Sequence, residues 1–265
     1  ARVHSTLTVR RNPDSAESAA PLFLHGDSLQ LESVALNGSP LRTGEFEDRG
    51  DALVVPSVPE EFELQVVTWI EPQNNTRLEG LYKSSGMFCT QCEAEGFRCI
   101  TLYPNRPDAM ARVRTRIEAD KSAYPVLLSN GNPVDKGELE NGRHFVTWED
   151  PFPKPSYLFA LVAGDLAEVA DSFTTKSGRK VDLKIFVEHG NETRCDYAME
   201  ALIRSMRWDE MRFNLEYDLD IFNIVAVSDF NMGAMENKSL NVFNAKYILA
   251  DSDTATDMDF ANIEG

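Results

Sequence analysis

The sequence predicts a mainly β protein, with short antiparallel strands in its first two-thirds and a mixed α and β segment after them. Val3, Leu7 and Val9 fall on one face of an alternating pattern near the start of the chain. The same period of two runs from Phe62 to Ile70. This alternation is typical of a strand that buries one face and exposes the other. Several such strands favour a sandwich or a saddle-like curved double sheet.

Turn residues separate these strands. Asn-Gly dipeptides, which accept the positive φ angles of tight hairpins, occur at Asn37-Gly38, Asn130-Gly131 and Asn141-Gly142. The segment 151–155 contains three prolines and predicts an edge or connecting segment, because proline cannot donate a backbone hydrogen bond. Residues 157–162 are apolar, and we expect them to form the strand that closes this β-rich part.

The pattern changes after about Gly164. Residues 181–187 alternate as a half-buried strand. Apolar residues then recur at helical spacing between Cys195 and Met206, which predicts a helix packed on a core.

Two further apolar strands are predicted at 221–227 and 240–243, and residues 253–257 predict the capped start of a second helix. We therefore expect two domains: a β-rich amino-terminal domain over residues 1–165, and the opening of an α+β domain over residues 166–265.

Composition narrows the classes of partner. The 265 residues include 43 Asp and Glu against 26 Lys and Arg, which gives a net charge of −17. An acidic chain repels phosphate backbones and anionic lipids, so we expect neither nucleic acid nor a membrane as a partner. The chain contains no run of about 18 apolar residues, the length that would predict a spanning helix. It begins at Ala1 without an initiator methionine, and we expect this to be a cut end.

The four cysteines are too few and too clustered for a disulfide framework. Cys89 and Cys92 have the C-x-x-C spacing of a redox pair or of half a zinc knuckle, but Cys99 and Cys195 do not repeat that spacing. We therefore expect reduced thiols without a metal. Reduced thiols indicate a reducing compartment, which favours the cytoplasm.

The loop between the strands 221–227 and 240–243 carries the clearest functional pattern. It contains the stretch Phe230–Asn237, with Gly233 and Glu236 close together. Glycine lets a backbone approach a ligand closely because no side chain intervenes. A carboxylate beside such a glycine suits binding of the charged amino end of a peptide.

The loop also resembles a known family. Residues 233–237, with the sequence G-A-M-E-N, match the exopeptidase signature of the zinc aminopeptidases related to aminopeptidase N. The continuation 238–244 is similar to the bacterial alanyl aminopeptidase branch, and residues 89–98 form a second matching stretch. The resemblance extends from about Leu78 to the last residue. It implies an amino-terminal β-sandwich or saddle-like domain followed by the opening of a thermolysin-like catalytic domain.

The resemblance implies a set of substrate-binding residues. Glu93 and Glu236 are assigned to the free α-amino group of a peptide, since two carboxylates can form charge-assisted hydrogen bonds to one ammonium. Gln91 and Met232 are assigned to the pocket for the first side chain. Met235 belongs to the same motif, although methionine is more often a core residue.

Three more residues of the motif complete this set. The backbone groups of Gly233 and Ala234 are expected to pair with the peptide as an added β-strand. Asn237 is expected to support the geometry of the loop rather than to contact the peptide.

The resemblance also implies what the chain lacks. In the family, the helix that starts near residue 257 continues into H-E-x-x-H, which binds zinc and supplies the general base. The four histidines (His4, His25, His144 and His189) have no such spacing. We therefore expect a truncated molecule with no catalytic residue and no metal ligand of its own. Zinc belongs to the full-length parent, and the fragment alone is expected to be inactive.

Two other interpretations remain at this stage. One is a related epoxide hydrolase, although its loop usually departs from the Met-Glu pattern found here. The other is a non-catalytic β-rich module that binds the amino ends of peptides or packs against a partner. The expected partners are peptides with a free amino terminus and the missing carboxy-terminal part of the same enzyme.

Overall fold

The computed structural model describes residues 1–14 and 20–265. Strands dominate these residues, which confirms the predicted fold class. The first ten strands are β1 (Arg2–Arg10), β2 (Leu22–His25), β3 (Gln30–Leu36), β4 (Ser39–Pro40), β5 (Glu47–Asp48), β6 (Ala52–Val55), β7 (Glu61–Trp69), β8 (Gly80–Ser84), β9 (Met87–Gln91) and β10 (Ala111–Asp120). The later strands are β11 (Val126–Ser129), β12 (Asn132–Glu138), β13 (Arg143–Lys154), β14 (Leu161–Gly164), β15 (Ala167–Thr174), β16 (Lys180–Val187), β17 (Ile221–Val227), β18 (Ala234–Met235) and β19 (Leu240–Asn244). The helices are α1 (Asp196–Phe213) and α2 (Asp257–Glu264).

The described residues form two compact units, and the chain passes between them several times. Unit 1 consists of Ala1–Tyr82, Gln91–Met110 and Pro155–Tyr157, and unit 2 consists of Lys83–Thr90, Ala111–Lys154 and Leu158–Gly265. These units follow spatial contacts rather than consecutive stretches of chain. The domain boundary near residue 165 stays a prediction.

Unit 1 contains a small β-sandwich. One sheet has the strand order β1-β7-β3-β4 and the other has the order β2-β6-β5. Alternate residues of β7 are buried, and they share a core with β2 and β6 that includes Leu24, Leu53, Leu64 and Val66. Each of these four side chains has no exposed surface. The alternating pattern near residues 1–10 and 62–70 therefore led to the right fold, because each strand buries one face against the other sheet.

Unit 2 is built on a mixed sheet with the strand order β15-β16-β17-β19-β18. The strands β16, β17 and β19 run parallel. Val181, Leu183, Ile185 and Val187 are completely buried, as their alternation predicts. They pack with the apolar residues of α1 in one core, which confirms the predicted helix. A parallel pair needs a long crossover, and α1 lies in the connection between β16 and β17.

Both helices have identifiable ends. Asn214 adopts the left-handed conformation after α1, with φ of 53°. The second helix begins with a capping box in which Thr256 and Asp259 exchange hydrogen bonds, as expected from residues 253–257. No helix among residues 1–14 and 20–265 is long and apolar enough to cross a membrane.

Two local predictions need correction. Asn37-Gly38 and Asn141-Gly142 do form tight turns with positive φ. Asn130-Gly131, however, does not close a hairpin, because β11 and β12 belong to different sheets. The dipeptide specifies a backbone conformation at Gly131, and the long-range strand pairing decides which sheet the chain enters next.

The region after residue 150 contains one prediction that is confirmed, the edge segment at 151–154, and the second that needs correction. Residues 151–154 continue β13, which pairs with β10, whereas the pairing of β13 with β12 stops at Glu149. A proline is tolerated there because only one edge of the strand is paired. The strand expected at 157–162 begins later, at Leu161, after a 3₁₀ turn at Ser156–Leu158.

Candidate functional site

The loop that joins β17 to β19, residues 228–239, is called the β17–β19 loop here. It contains β18, which pairs antiparallel with β19 through Ala234 and Met235. This short strand is the last one in its sheet. A terminal strand has backbone groups on its outer edge that can pair with another extended segment.

Side chains of the loop alternate between buried and exposed positions. Met235 has no exposed surface and Asn237 has 1 %, whereas Glu236 between them is exposed. Met232 retains 39 % exposure. The side chain of Met235 therefore fills the core, and only its backbone is placed to contact a peptide. The structure leaves Glu236 and Met232 as the motif side chains that face outward from unit 2.

The beginning of the loop is fixed by two side chains. The hydroxyl of Ser84, which is completely buried, donates to Asp229 Oδ2 at 2.9 Å and accepts from the Asp229 backbone N–H at 3.1 Å. The amide of Asn244 donates to the Phe230 carbonyl at 3.2 Å. The backbone N–H of Asn244 also donates to the Gly233 carbonyl at 2.9 Å. These bonds hold the turn that leads into β18.

The end of the loop is fixed by the turn between β11 and β12. Asn130 donates from its side-chain amide to the Asn237 carbonyl at 2.5 Å, and the Gly131 N–H donates to Ser239 Oγ at 2.6 Å. Neither Asn130 nor Ser239 was identified from the sequence. Asn130 lies 107 residues from Asn237 along the chain, so no local pattern connects them.

The remaining predicted residues lie in unit 1, at and after the end of β9. Gln91 is the last residue of that strand and is 1 % exposed. Glu93 is exposed in the turn that follows. Glu95 forms an ion pair with Arg98 at 3.0 Å, and its carbonyl accepts a hydrogen bond from Asn105 at 2.6 Å. Among residues 1–14 and 20–265, Glu93 has no ion-pair partner, so its carboxylate is available to an external cation.

The described part of the chain has no group of three His, Cys, Asp or Glu residues arranged to hold a metal. His4 lies in β1, and His25 accepts through Nδ1 from the backbone N–H of Asn105. His144 is buried, with Nε2 at 2.8 Å from the Tyr124 carbonyl. His189 pairs with the carboxylate of Asp165. The donor set of a zinc centre does not occur in these residues.

The cysteines are poorly suited to react as nucleophiles. All four are buried. Burial raises the pKa of the Cys92 thiol far above its usual range, and it raises the pKa of Cys99 and of Cys195 to about 11. A buried thiol with a raised pKa is a poor nucleophile near neutral pH.

Two family models match the chain, and together they cover most of it. The Peptidase M1 N-terminal domain matches residues 2–158, and the Peptidase family M1 domain matches residues 197–264. The chain belongs to the peptidase M1 family. This membership confirms the resemblance to aminopeptidase N on which the site residues were chosen.

Bacterial members of the M1 family are similar over almost the whole chain. Aminopeptidase N of Escherichia coli is 60% identical over 247 residues, which cover 93% of this chain and 28% of that protein. Aminopeptidase N of Caulobacter vibrioides is 55% identical over 263 residues, with 99% and 30% covered. The chain therefore spans less than a third of the length of these relatives.

A solved structure gives the same result for the fold. The crystal structure of Legionella pneumophila aminopeptidase A in complex with aspartic acid matches with a TM-score of 0.96 at 37% identity. The match covers 99% of this chain and 31% of that chain. Both comparisons agree with the expected amino-terminal part of an M1 aminopeptidase.

Proposed function

We propose that this chain is the amine-anchoring part of a longer metalloaminopeptidase that removes amino-terminal residues from peptides. The observation that carries the proposal is the position of Glu236, an exposed carboxylate that directly follows the edge strand β18. In a member of the M1 family, this carboxylate has the position and charge to bind the ammonium group of a peptide.

The chemistry assigned to the two carboxylates selects for a free amino terminus. Glu93 and Glu236 accept charge-assisted hydrogen bonds from one ammonium group. An internal peptide nitrogen carries no charge and has a single proton, so it cannot satisfy both carboxylates. Among the described residues, neither glutamate has an ion-pair partner that would compete with the peptide. Exopeptidase selectivity follows from these two residues.

The loop orients the peptide through its backbone. The backbone groups of Gly233 and Ala234 on the outer edge of β18 pair with the first residues of the peptide as an added strand. Met232, which is 39 % exposed, contacts the first side chain, and Asn237 keeps the loop in shape. The similar Legionella aminopeptidase A structure is a complex with aspartic acid, a molecule that carries an α-ammonium group.

We propose zinc as the metal of the full-length enzyme, where it would polarise the carbonyl of the peptide and activate a water molecule. Residues 1–14 and 20–265 do not provide a ligand set for it. The proposed contribution of this chain is therefore confined to binding and orienting the peptide. Hydrolysis by the 265-residue chain alone is not expected.

The proposal is tested with the full-length enzyme and an alanine anilide substrate, with and without a chelator. Glu236→Ala is expected to lower kcat/KM by about 100-fold or more, because the loss of one partner of a desolvated charge pair costs several kcal/mol. Glu140→Ala, at an exposed turn position, is the matched control and is expected to leave kcat/KM unchanged. Unchanged kinetics in Glu236→Ala would remove this residue from the site.

A non-catalytic module that binds peptide amino ends is the second candidate. It shares the amine-binding residues, so it is distinguished by turnover: peptide binding by the full-length protein without chelator-sensitive hydrolysis would favour it. The net charge of −17 supports peptides rather than nucleic acid or anionic membranes as partners. Buried cysteines and the lack of a disulfide framework in the sequence support a cytoplasmic location.

A further inference from the structure

The side chain of Asn130 connects three segments of unit 2. Its Oδ1 accepts from the backbone N–H of Ala160 at 2.7 Å. Its Nδ2 donates to the Leu158 carbonyl at 3.0 Å and to the Asn237 carbonyl at 2.5 Å. A longer contact of 3.4 Å reaches the Lys238 carbonyl. The residue is only 4 % exposed, so these bonds form away from water.

A second bond next to Asn130 reinforces this connection. The Gly131 N–H donates to Ser239 Oγ at 2.6 Å, and Ser239 is completely buried. The carbonyl of Ser239 accepts from the Asn223 N–H at 2.8 Å, which links it to β17. Gly131 has φ of +88°, and a Cβ at this position would lie 2.0 Å from the Glu149 carbonyl oxygen. Only glycine allows the turn to pass so close to the backbone of Glu149 in β13.

These bonds fix the backbone of Asn237, the residue that follows Glu236. Because Asn237 is buried and its carbonyl is held by Asn130, the backbone on the carboxyl side of Glu236 has a fixed position. On the other side, Met235 is completely buried in the strand β18. Two fixed neighbours set the position of the Glu236 backbone, from which the exposed carboxylate extends.

We propose that Asn130 is a positioning residue that sets the place of Glu236 through the Asn237 carbonyl. This inference rests on the proposed role of Glu236 as an amine anchor. Asn130 touches no substrate in this scheme. Its contribution is to keep the anchoring carboxylate within the small positional tolerance that a charge-assisted hydrogen bond requires.

The chemistry of the site explains why asparagine is required. Its amide presents donors to the carbonyls of Leu158 and Asn237 and an acceptor to the Ala160 N–H. Aspartate has nearly the same shape, but it would place a buried negative charge against carbonyl oxygens and would lack the donors. Asn130→Asp is therefore the variant that tests the hydrogen bonds with the least change in volume.

The experiment compares Asn130→Asp, Glu236→Ala and the double variant in the full-length enzyme. Two anilides serve as substrates: the alanine anilide, and the lactic acid anilide in which a hydroxyl replaces the ammonium group. Asn130→Asp is expected to lower kcat/KM for the alanine anilide by about 10-fold to 100-fold, with a much smaller change for the lactic acid anilide. Asn141→Asp, at an exposed Asn-Gly turn, is the matched control.

The double variant decides whether the two residues act together. If Asn130 works through Glu236, Asn130→Asp lowers kcat/KM by less than about threefold in the Glu236→Ala background. The positioning role would be overturned if the fold-losses in kcat/KM of the two single variants multiplied in the double variant. Equal losses for the alanine anilide and the lactic acid anilide would also overturn it. If Glu236→Ala alone has no effect, the proposed function fails.

Hydrogen exchange tests whether Asn130 holds residues 237–239 in place. In the full-length enzyme, Asn130→Asp is expected to raise amide exchange in peptides that contain residues 237–239, whatever the activity. Unchanged exchange there would overturn the inference even if activity fell. Should Asn130→Asp fail to fold, Asn130→Ala removes the same hydrogen bonds without burying a charge and is expected to show the same loss of selectivity for the alanine anilide. Unchanged selectivity in that variant would also overturn it.

Discussion

Gly233 packs against the aromatic ring of Tyr247. A Cβ built on Gly233 would lie 3.2 Å from Tyr247 Cε2, closer than an ordinary van der Waals contact. Gly233 stands directly before β18, so the ring supports the loop where it enters the edge strand. The lack of a side chain at this position therefore has a steric cause within unit 2.

Gly233→Ala is expected to displace either the ring or the loop by a few tenths of an ångström. Such a shift at an orienting segment would lower kcat/KM for an alanine anilide by about tenfold, and the free energy of unfolding would fall by roughly 1 kcal/mol. Both are measured on the full-length enzyme. In a Tyr247→Ala background, the added methyl group meets no ring and is expected to have little further effect. Equal effects in both backgrounds would rule out the contact as the cause.

Glu93 and Glu95 are expected to behave differently although they are two residues apart. Glu95 is engaged by Arg98 at 3.0 Å, whereas Glu93 is exposed and assigned to the substrate ammonium. Glu93→Gln should lower kcat/KM for the alanine anilide by about tenfold or more, because a neutral amide loses the charge-assisted bond. Glu95→Gln should change it by less than about threefold. Steady-state kinetics of the two variants checks the assignment, and the reverse order would contradict it.

The fold was predictable where its cause is local. Alternation in β1, β7 and β16 and helical spacing in α1 follow from one buried face, which the sequence records directly. The turn at Asn130-Gly131 was misinterpreted because the dipeptide determines φ but not strand pairing. Residues 151–154 lie where β13 is paired on one side only, as their prolines predict, because proline excludes pairing on one side of a strand.

The candidate site also has a local part, which the sequence predicts, and a long-range part, which it does not. The motif at 233–237 is contiguous, so a sequence comparison finds it. The residues that hold it, Ser84 and Asn130, are contributed by β8 and by the turn after β11, 145 and 107 residues away from their partners. A buried polar residue must find hydrogen bonds, but the sequence does not say with which segment. Asn-Gly at 130–131 was the available indication, and it was assigned to a hairpin.

The buried ion pair between Asp150 and Lys154 predicts a large loss of stability when one partner is removed. The two side chains are 1 % and 6 % exposed, and Asp150 also accepts from the Phe152 N–H at 3.2 Å. Lys154→Met leaves a buried carboxylate without its cation, which is expected to cost about 3–5 kcal/mol. The midpoint of urea denaturation measures this loss.

Two variants check the cause of that loss. Asp150→Asn combined with Lys154→Met removes both charges and keeps an acceptor for Phe152, so the double variant is expected to be more stable than Lys154→Met alone. Lys121→Met removes one partner of the exposed pair with Glu138 and is expected to cost less than about 1 kcal/mol. A double variant no more stable than the single one would show that packing, rather than the unpaired charge, determines the loss.

His189 and Asp165 predict a small pH dependence of stability near neutrality. The carboxylate of Asp165, 2.9 Å from His189 Nε2, raises the pKa of the imidazole above its ordinary value of 6.5. A raised pKa means that the folded state binds the proton more tightly. The stabilisation is therefore fully present below pH 6.5 and is lost as the pH rises through the pKa of the folded state.

Asp165→Asn is expected to lower the pKa of His189 towards 6.5, because the hydrogen-bonded carboxylate is the largest cause of the shift. Titration of the imidazole proton resonances by NMR measures this pKa directly. The stability difference between the wild-type protein and Asp165→Asn should appear only at pH values below the raised pKa, and it should be small because both side chains are about 60% exposed. His189→Gln should abolish this pH-dependent difference. An unchanged pKa of His189 in Asp165→Asn would show that the carboxylate does not hold the proton.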